Sequence, residues 1–416
     1  MAEIKELRCV VNGLSYQPSE VQYTCPVAGE AGTLDVLYDY DNLRATLDRD
    51  AISASNEQSM WRYKPILPLD PDDAVPPLRV GFTPLYDTSR LAAALGVRQA
   101  WVKDEGTNPT GSLKDRASAL VVARAMKQGI TTVATASTGN AAAALAGVGA
   151  SVPGIDVVIF VPATAPEAKI AQLLVYGATV LLVEDTYGVA FDLCTQMCMS
   201  EGWYSRNTGV NPFTTEGKKT VALEIAEQRK WNVPDAVVVS VGDGSIISGT
   251  YKGFWDLHQL GWIERMPRII GVQAVGSSPL VHAWQNDIRG EDMQSVEVYT
   301  LADSISAALP RDRVKALRAV RNTGGAYVAV SDEEIVAGIP EFARLTGVFA
   351  EPAAVASFVG ARRAVQSGYI HADDSVLVMA TGNGLKDVRR AQQAVAGGLR
   401  VAPDLDAIRQ ALSIRH

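Results

Sequence analysis

The sequence predicts an α/β fold: parallel sheets covered by helices. Three observations lead there. Runs such as AVVVSVG (236–242) and IDVVIFVPA (155–163) are almost continuously apolar, unlike the alternation of a strand with one wet face. Each run is followed by a helical period of roughly 10–15 residues, the repeat of βαβ units. Polar, glycine-bearing turns stand at the C-terminal ends of several runs, where open α/β sheets hold their ligands.

Taken in order, residues 1–35 read as short β-like pieces broken by Pro18, Pro26, Gly29 and Gly32. The polar, aromatic-rich stretch from Asp39 to Asp73 runs into LPLDPDDAVPPL, a rigid arm or linker. We assign 36–105 to this arm and the start of a large domain. WVKDE is a strand, followed by a helix starting near Lys114. TTVATAS, an Ala-rich helix, IDVVIFVPA, the helix PEAKIAQLLVYG, TVLLVE and a helix from Tyr187 to Ser200 make a small α/β domain over 106–204. A loop near 205–215 crosses into a large α/β domain over 205–400. That domain carries the helix TEGKKTVALEIAEQRK, the strand AVVVSVG, a helix from Ser245 to Leu260, the strand RIIGVQAV and a last strand in SVLVMATG. A C-terminal helix is expected over 401–416.

Composition narrows the function. A chain of 416 residues with 47% hydrophobic and 20% charged residues is globular rather than disordered. Its net charge of −8 (38 basic against 46 acidic residues), with no basic stripe, argues against nucleic acid as partner. Four cysteines, at positions 9, 25, 194 and 198, are too sparse for a disulfide framework. Cys194 and Cys198 lie four apart on an expected helix beside Leu193, Met197 and Met199, and read as core thiols. The start MAEIKELRC has no apolar segment of the secretory kind. The run from Ala141 to Val161 is broken by Pro153, Gly154 and Asp156, so no membrane span is expected. The expectation is a soluble, reduced, cytoplasmic protein. His258, His282, His371 and His416 form no cluster and receive no role.

Four strand ends could carry chemistry. In NPTGSLKDR (108–116) a Pro/Gly turn leads into a helix with Lys114 in its first turn. A cation there opposes the positive end of the helix dipole, and the same field lowers its pKa toward the neutral amine that forms a Schiff base. The alternative is a surface lysine near a helix start. Ser137-Thr138-Gly139-Asn140 crowds three polar side chains onto one strand end, as helix caps or as ligands for an anion such as a carboxylate. Gly242-Asp243-Gly244-Ser245-Ile246 opens a helix, and successive backbone N–H groups in such a turn make a phosphate cradle. It is neither a P-loop nor a dinucleotide fingerprint, since the third glycine position is Ile247. Asp243 should turn its side chain away while its N–H serves the site. Thr381-Gly382-Asn383-Gly384-Leu385-Lys386-Asp387 offers a hydroxyl and close backbone approach, or is only a turn.

The order NPTGSLKDR, STGN, a glycine turn and TGNGLKD resembles the threonine synthase family, pyridoxal-phosphate enzymes of fold type II. The resemblance runs from Thr83-Pro84-Leu85 to Asp387. It implies pyridoxal 5'-phosphate bonded to Lys114, Asn140 at the pyridine 3′-oxygen, the turn from Gly242 to Ile246 (Asp243, Gly244 and Ser245 included) around the cofactor phosphate, and Thr381 at the pyridine nitrogen. Ser137 and Thr138 would take the substrate carboxylate. The implied reaction turns O-phospho-L-homoserine and water into L-threonine and phosphate. Lys114 would abstract the α-proton once displaced by substrate. A homodimer is expected, as two-fold oligomers are the commonest.

Two departures qualify this. Related proteins carry paired C-x-x-C knuckles near the N-terminus, whereas here Cys9-Val10-Val11-Asn12 and Cys25-Pro26-Val27-Ala28 keep one cysteine of each pair. Two thiolates do not make a tetrahedral structural zinc site, so 1–35 reads as a degenerate ribbon without metal. Relatives also place a Thr after STGN and an Arg after the Asn-Pro pair; this chain has Ala141 and Thr214. Lys218 and Lys219, in the first turns of a helix beginning near Thr215, are the expected substitutes at the substrate phosphate. The alternative function is a related pyridoxal-phosphate β-eliminase or β-replacement enzyme acting on a serine-like or phosphoserine substrate. A catalytically silent, binding or regulatory relative is a further reading, opposed by the retained Lys114.

Overall fold

The computed structural model describes residues 3–413. Thirteen strands run in chain order. The first nine are β1 (Ile4–Cys9), β2 (Ser15–Tyr16), β3 (Leu34–Tyr38), β4 (Leu85–Asp87), β5 (Gln99–Asp104), β6 (Thr132–Ala136), β7 (Asp156–Pro162), β8 (Thr179–Val183) and β9 (Tyr204–Ser205). The last four are β10 (Ala236–Ser240), β11 (Arg268–Ala274), β12 (Ala326–Val330) and β13 (Ser375–Ala380). They form three sheets. The large one has the order β12-β11-β10-β13-β5-β4, parallel except for β4 at its edge. The small one, β8-β7-β6-β9, is wholly parallel. The chain starts the large sheet with β4 and β5, builds the small sheet, and returns to finish the large one.

The apolar runs are explained by burial on two sides. In β10, Val237 and Val239 join one core while Ala236 and Val238 join a second on the opposite face. In β7, Val157, Ile159 and Val161 share the first of these cores, while Val158 and Phe160 face a third with Cys194 and Cys198. The cysteines are core thiols: 0% and 3% exposed. One core is therefore common to both sheets.

Five helices position the site: α1 (Lys114–Lys127), α2 (Asn140–Ala150), α3 (Phe213–Gln228), α4 (Ser245–Gln259) and α5 (Pro352–Gln366). α3 starts two residues earlier than the expected Thr215, because Asn211 accepts from the Phe213 N–H through its side chain (2.9 Å) and from the Thr214 hydroxyl through its carbonyl (2.8 Å).

The N-terminal pieces form a small antiparallel sheet of order β2-β1-β3, whose last strand passes the expected boundary at 35. Asp35 is bound by Arg318 at 2.7 Å, which ties this sheet to the body. Cys9 and Cys25 are buried free thiols; Tyr16 and Asn12 stand 3.3 and 3.7 Å from the Cys25 sulfur. Among the described residues no group of three metal-ligating side chains exists. The C-terminal helix is Leu405–Ser413, and the end of the expected 401–416 element, His416 included, lies outside the described residues. Among the described residues no helix is long and apolar enough to cross a membrane.

Candidate active site

The NPTGSLKDR turn is held from both sides. Asp115 accepts from the Thr110 backbone N–H (2.7 Å) and hydroxyl, closing the turn, and burial pushes its pKa up to about 6. The Leu113 N–H donates to the Thr381 carbonyl and the Asn383 N–H to the Gly111 carbonyl, both at 2.9 Å. The first and last motifs are thus hydrogen-bonded to each other across nearly 270 residues of chain. Two residues beyond Lys114, Arg116 is fully buried and clamped by Glu105 (2.7 Å) and Glu224 (2.5 Å), and Lys103 reaches the same Glu224 at 2.8 Å. These bonds fix the start of α1, and with it the lysine.

Lys114 opens into a pocket it shares with Asn140, Thr381, the turn from Gly242 to Ile246, Ser240, Ser304 and Glu351. Burial lowers its pKa to about 8; Arg206 adds to this, while Asp243, Glu351 and Asp312 oppose it. A sizeable fraction of the amine is therefore neutral near pH 7–8, which a nucleophile requires. Desolvation and a second cation, Arg206, thus act on this amine beside the helix dipole.

The second motif does not cap its helix. Gly139 is the N-cap of α2 and no side chain takes up a cap bond. Ser137 accepts from the Gly139 N–H (3.2 Å), and Ser137 and Thr138 are half-buried at the strand end, outside the pocket wall. Asn140 stands in the wall and donates to Glu351 at 2.9 and 3.1 Å. Burial raises the Glu351 pKa, with the Asn140 hydrogen bond pulling against it.

The glycine turn fits a phosphate. Gly244 has φ +87°, and a Cβ there would lie 2.8 Å from the Ala316 Cβ; one on Gly242 would lie 2.9 Å from the Ile305 backbone. α4 has no side-chain cap, so its first N–H groups are free for an anion. Ser240, at the end of β10, has a buried hydroxyl without a partner in this same wall. Asp243 is exposed, and its carbonyl accepts from the Asp312 N–H (2.9 Å). A lysine amine of lowered pKa, an uncapped glycine-lined helix start and an orphaned hydroxyl together suit a cofactor with an aldehyde and a phosphate.

The two lysines behave differently from the expectation. Lys219 is corrected: its ammonium is locked between Glu216 (2.6 Å) and Asp256 (2.7 Å) and lies 4.4 Å from the centre of the Tyr38 ring, away from the pocket. α3 turns about 100° per residue, so neighbours on it cannot share a face. Lys218 instead reaches Ser245 in the glycine turn. Thr214 donates to Asn211 and is fully buried, which removes it as a phosphate donor.

Sequence reading missed Ser240, Ser304, Glu351 and Arg206. Ser240 was findable as the polar residue closing an apolar run. Glu351 stands just before the Pro352 that starts α5, and reads locally as an ordinary helix entry. Arg206 follows the two-residue β9 in what reads as loop; it is fully buried, bonded to Ser118 (3.1 Å), Thr208 (3.0 Å) and the Lys114 carbonyl (3.4 Å).

The chain is similar to known proteins. The family model described as "Pyridoxal-phosphate dependent enzyme" matches residues 77–382. A threonine synthase of Methanosarcina acetivorans is 38% identical over 407 residues, covering 98% of each chain. One from Methanocaldococcus jannaschii is 35% identical over 406 residues, covering 97% of this chain and 98% of its own. Among solved structures, maize serine racemase superposes with a TM-score of 0.63 at 20% identity, over 80% of this chain and 92% of that one, which shows a shared fold. The chain belongs to the pyridoxal-phosphate dependent enzymes, and within them to the threonine synthase family.

Proposed function

We propose that this chain is a threonine synthase that converts O-phospho-L-homoserine and water to L-threonine and phosphate. The observation that carries the reading is likeness to curated threonine synthases over 98% of both chains, joined to a pocket built around Lys114. Bound pyridoxal phosphate supplies an electron sink for charge developing on the substrate's carbon chain. The chain's own residues do the rest. Lys114 would anchor the cofactor and would take the α-proton at Nζ; a pKa of about 8 suits an amine that accepts and returns protons near neutrality. Asn140, pinned by Glu351, would hold the ring's 3′-oxygen, and Thr381 would hold the ring nitrogen. A hydroxyl there, unlike a carboxylate, does not hold that nitrogen protonated. The N–H groups of Gly242 to Ile246 take the cofactor phosphate, and Ser137 with Thr138 takes the substrate carboxylate. The atoms balance: one proton leaves Cα and returns there, one leaves Cβ, phosphate leaves Cγ, a proton ends at Cγ, and water supplies the hydroxyl at Cβ and the proton that the departing phosphate takes up.

A second reading is favoured by one feature. With Thr214 and Lys219 both engaged within the fold, the leaving-group end has fewer cations than the family pattern supplies, which suits a serine-like substrate without a phosphate. We assign the protein as cytoplasmic and homodimeric on composition and on the commonness of two-fold oligomers. The test is a panel of phosphohomoserine, phosphoserine and serine given to purified holoenzyme. Equal threonine and phosphate from phosphohomoserine is expected. Consumption of a serine-type substrate without threonine from phosphohomoserine replaces this reading with the second.

A further inference from the structure

We propose that Lys218 is the charge partner of the cofactor phosphate, acting through the Ser245 hydroxyl, and not a ligand of the substrate. This inference rests on membership of the pyridoxal-phosphate enzymes and not on the substrate.

Lys218 sits on the side of α3 that packs against α4. The contact is close because α4 has a glycine there: a Cβ on Gly249 would lie 2.7 Å from the Lys218 Cβ. The side chain has no exposed surface and runs toward the first turn of α4, where its ammonium donates to the Ser245 hydroxyl. No carboxylate stands within 4.0 Å of it among the described residues, unlike Lys103, Lys219 and Lys252.

That placement is unfavourable twice over. A buried cation without a counter-charge is costly. The free N–H groups at the start of α4 already make this end of the helix positive. The other charged groups felt by Lys218 are the cations Lys114 and Arg206 and, opposing them, Asp312 and Asp243. Burial, with those two cations, draws the Lys218 pKa well below its ordinary value. An anion in the glycine turn supplies the counter-charge and offsets the repulsion from Lys114, Arg206 and the helix start. Lys218 then donates to the Ser245 oxygen, which frees the Ser245 hydroxyl hydrogen for a phosphate oxygen. The orphaned Ser240 hydroxyl lines the same pocket and points to the same missing acceptor. A phosphate dianion therefore finds a cation one hydroxyl away, which the glycine turn alone does not provide.

The test compares two forms of the vitamin that differ only in the phosphate. Apoenzyme is titrated with pyridoxal 5′-phosphate and with pyridoxal, for wild type, Lys218→Met, Lys218→Arg and Ser245→Ala, and thermal unfolding checks each fold. Lys218→Met should weaken pyridoxal phosphate binding roughly ten- to a hundredfold, the range for a hydrogen bond to a charged group, while leaving pyridoxal within about twofold. Lys218→Arg should recover part of the loss, and Ser245→Ala should lose phosphate preference in the same direction. The ³¹P resonance of the bound cofactor should move in Lys218→Met. If both compounds weaken equally, Lys218 is merely structural and the proposal falls. It falls also if cofactor affinity is unchanged and only the KM for phosphohomoserine rises, because the lysine then serves the substrate. Should Lys218→Met not fold, the Ser245→Ala comparison decides alone. None of these titrations uses substrate, so they stand or fall separately from threonine formation.

Discussion

Lys218 and Lys219 are neighbours on one helix, equally buried and oppositely partnered. Lys219 and Lys252 face Glu216 and Asp256, two cations against two anions, with Tyr38 and Tyr40 donating to the same carboxylates. Lys103 and Arg116 likewise meet Glu105 and Glu224. Around the pocket the count is different: among the described residues Lys114, Arg206 and Lys218 have no carboxylate within salt-bridge distance. The pKa values follow this division except at Lys103, where burial lowers the value in spite of Glu224 and Glu105. Burial penalises Lys252, yet Asp256 and Glu216 hold its pKa above the ordinary value, whereas those of Lys114, Arg206 and Lys218 are lowered. Paired buried charge builds the fold; unpaired buried charge marks where ligands belong.

The sharpest way to break this division is at Lys114. Lys114→Ala should abolish turnover, by about a thousandfold or more as for a lost covalent anchor and base, yet leave non-covalent cofactor binding and thermal stability nearly intact. Mass mapping after borohydride reduction should place the trapped cofactor on Lys114 in wild type. A trapped adduct on another lysine, or a strongly destabilised variant, would sink the distinction.

The opposite outcome is expected from Lys219→Met. It leaves Glu216 and Asp256 with one lysine between them, so unfolding should become easier by about 3–5 kcal/mol while cofactor affinity stays close to wild type. A folded, stable variant with weakened substrate use would restore Lys219 to the site.

The fold was legible because its strands are buried on both faces and therefore written as unbroken apolar runs. The motif-bearing strand ends were legible for a related reason: polar residues and glycines at those points serve no packing purpose. β12 (AYVAV) and the two-residue β9 were missed, since short runs beside glycines look like loop. The partition of the lysines was not legible at all. Neighbouring positions on α3 differ only by the turn of the helix; apart from Glu216, three residues before Lys219, their partners come from α4, β3 and the glycine turn, far away in sequence. Glu351 and Arg206 escaped for the same reason: each becomes informative only when a distant residue, Asn140 or Lys114, is set against it.

Acid should dismantle the paired network in a defined window. Burial alone would raise the Glu224 pKa, but Arg116 and Lys103 overcome it and hold it at about 2, against an ordinary value of 4.5. The folded state therefore favours the carboxylate. Its contribution, on the order of 3 kcal/mol, is fully present above pH 4.5 and is lost as pH falls toward 2. Urea unfolding at steps through that window should show stability falling with acid, and Glu224→Gln should flatten part of the slope. An unchanged slope in the variant would mean other carboxylates carry the acid sensitivity.

The smallest effect tests the unpaired group most finely. Arg206 is a buried guanidinium bonded only to hydroxyls and to the Lys114 carbonyl, and after burial it is the chief cause of the lowered Lys114 pKa. Arg206→Met removes that repulsion and leaves burial in place, so the Lys114 pKa should rise from about 8 by roughly one unit. Only the neutral amine attacks the cofactor aldehyde. The rate of covalent attachment to wild-type apoenzyme should therefore climb with pH and level off above about 8, while in the variant it keeps climbing to higher pH. The measurement is growth of the cofactor's visible absorbance after mixing, at saturating pyridoxal phosphate, from pH 6.5 to 9.5 (a range set about the lysine value). Superimposable profiles would leave burial as the whole cause, and Arg206 would then be an unpaired cation that serves the fold alone, which breaks the division.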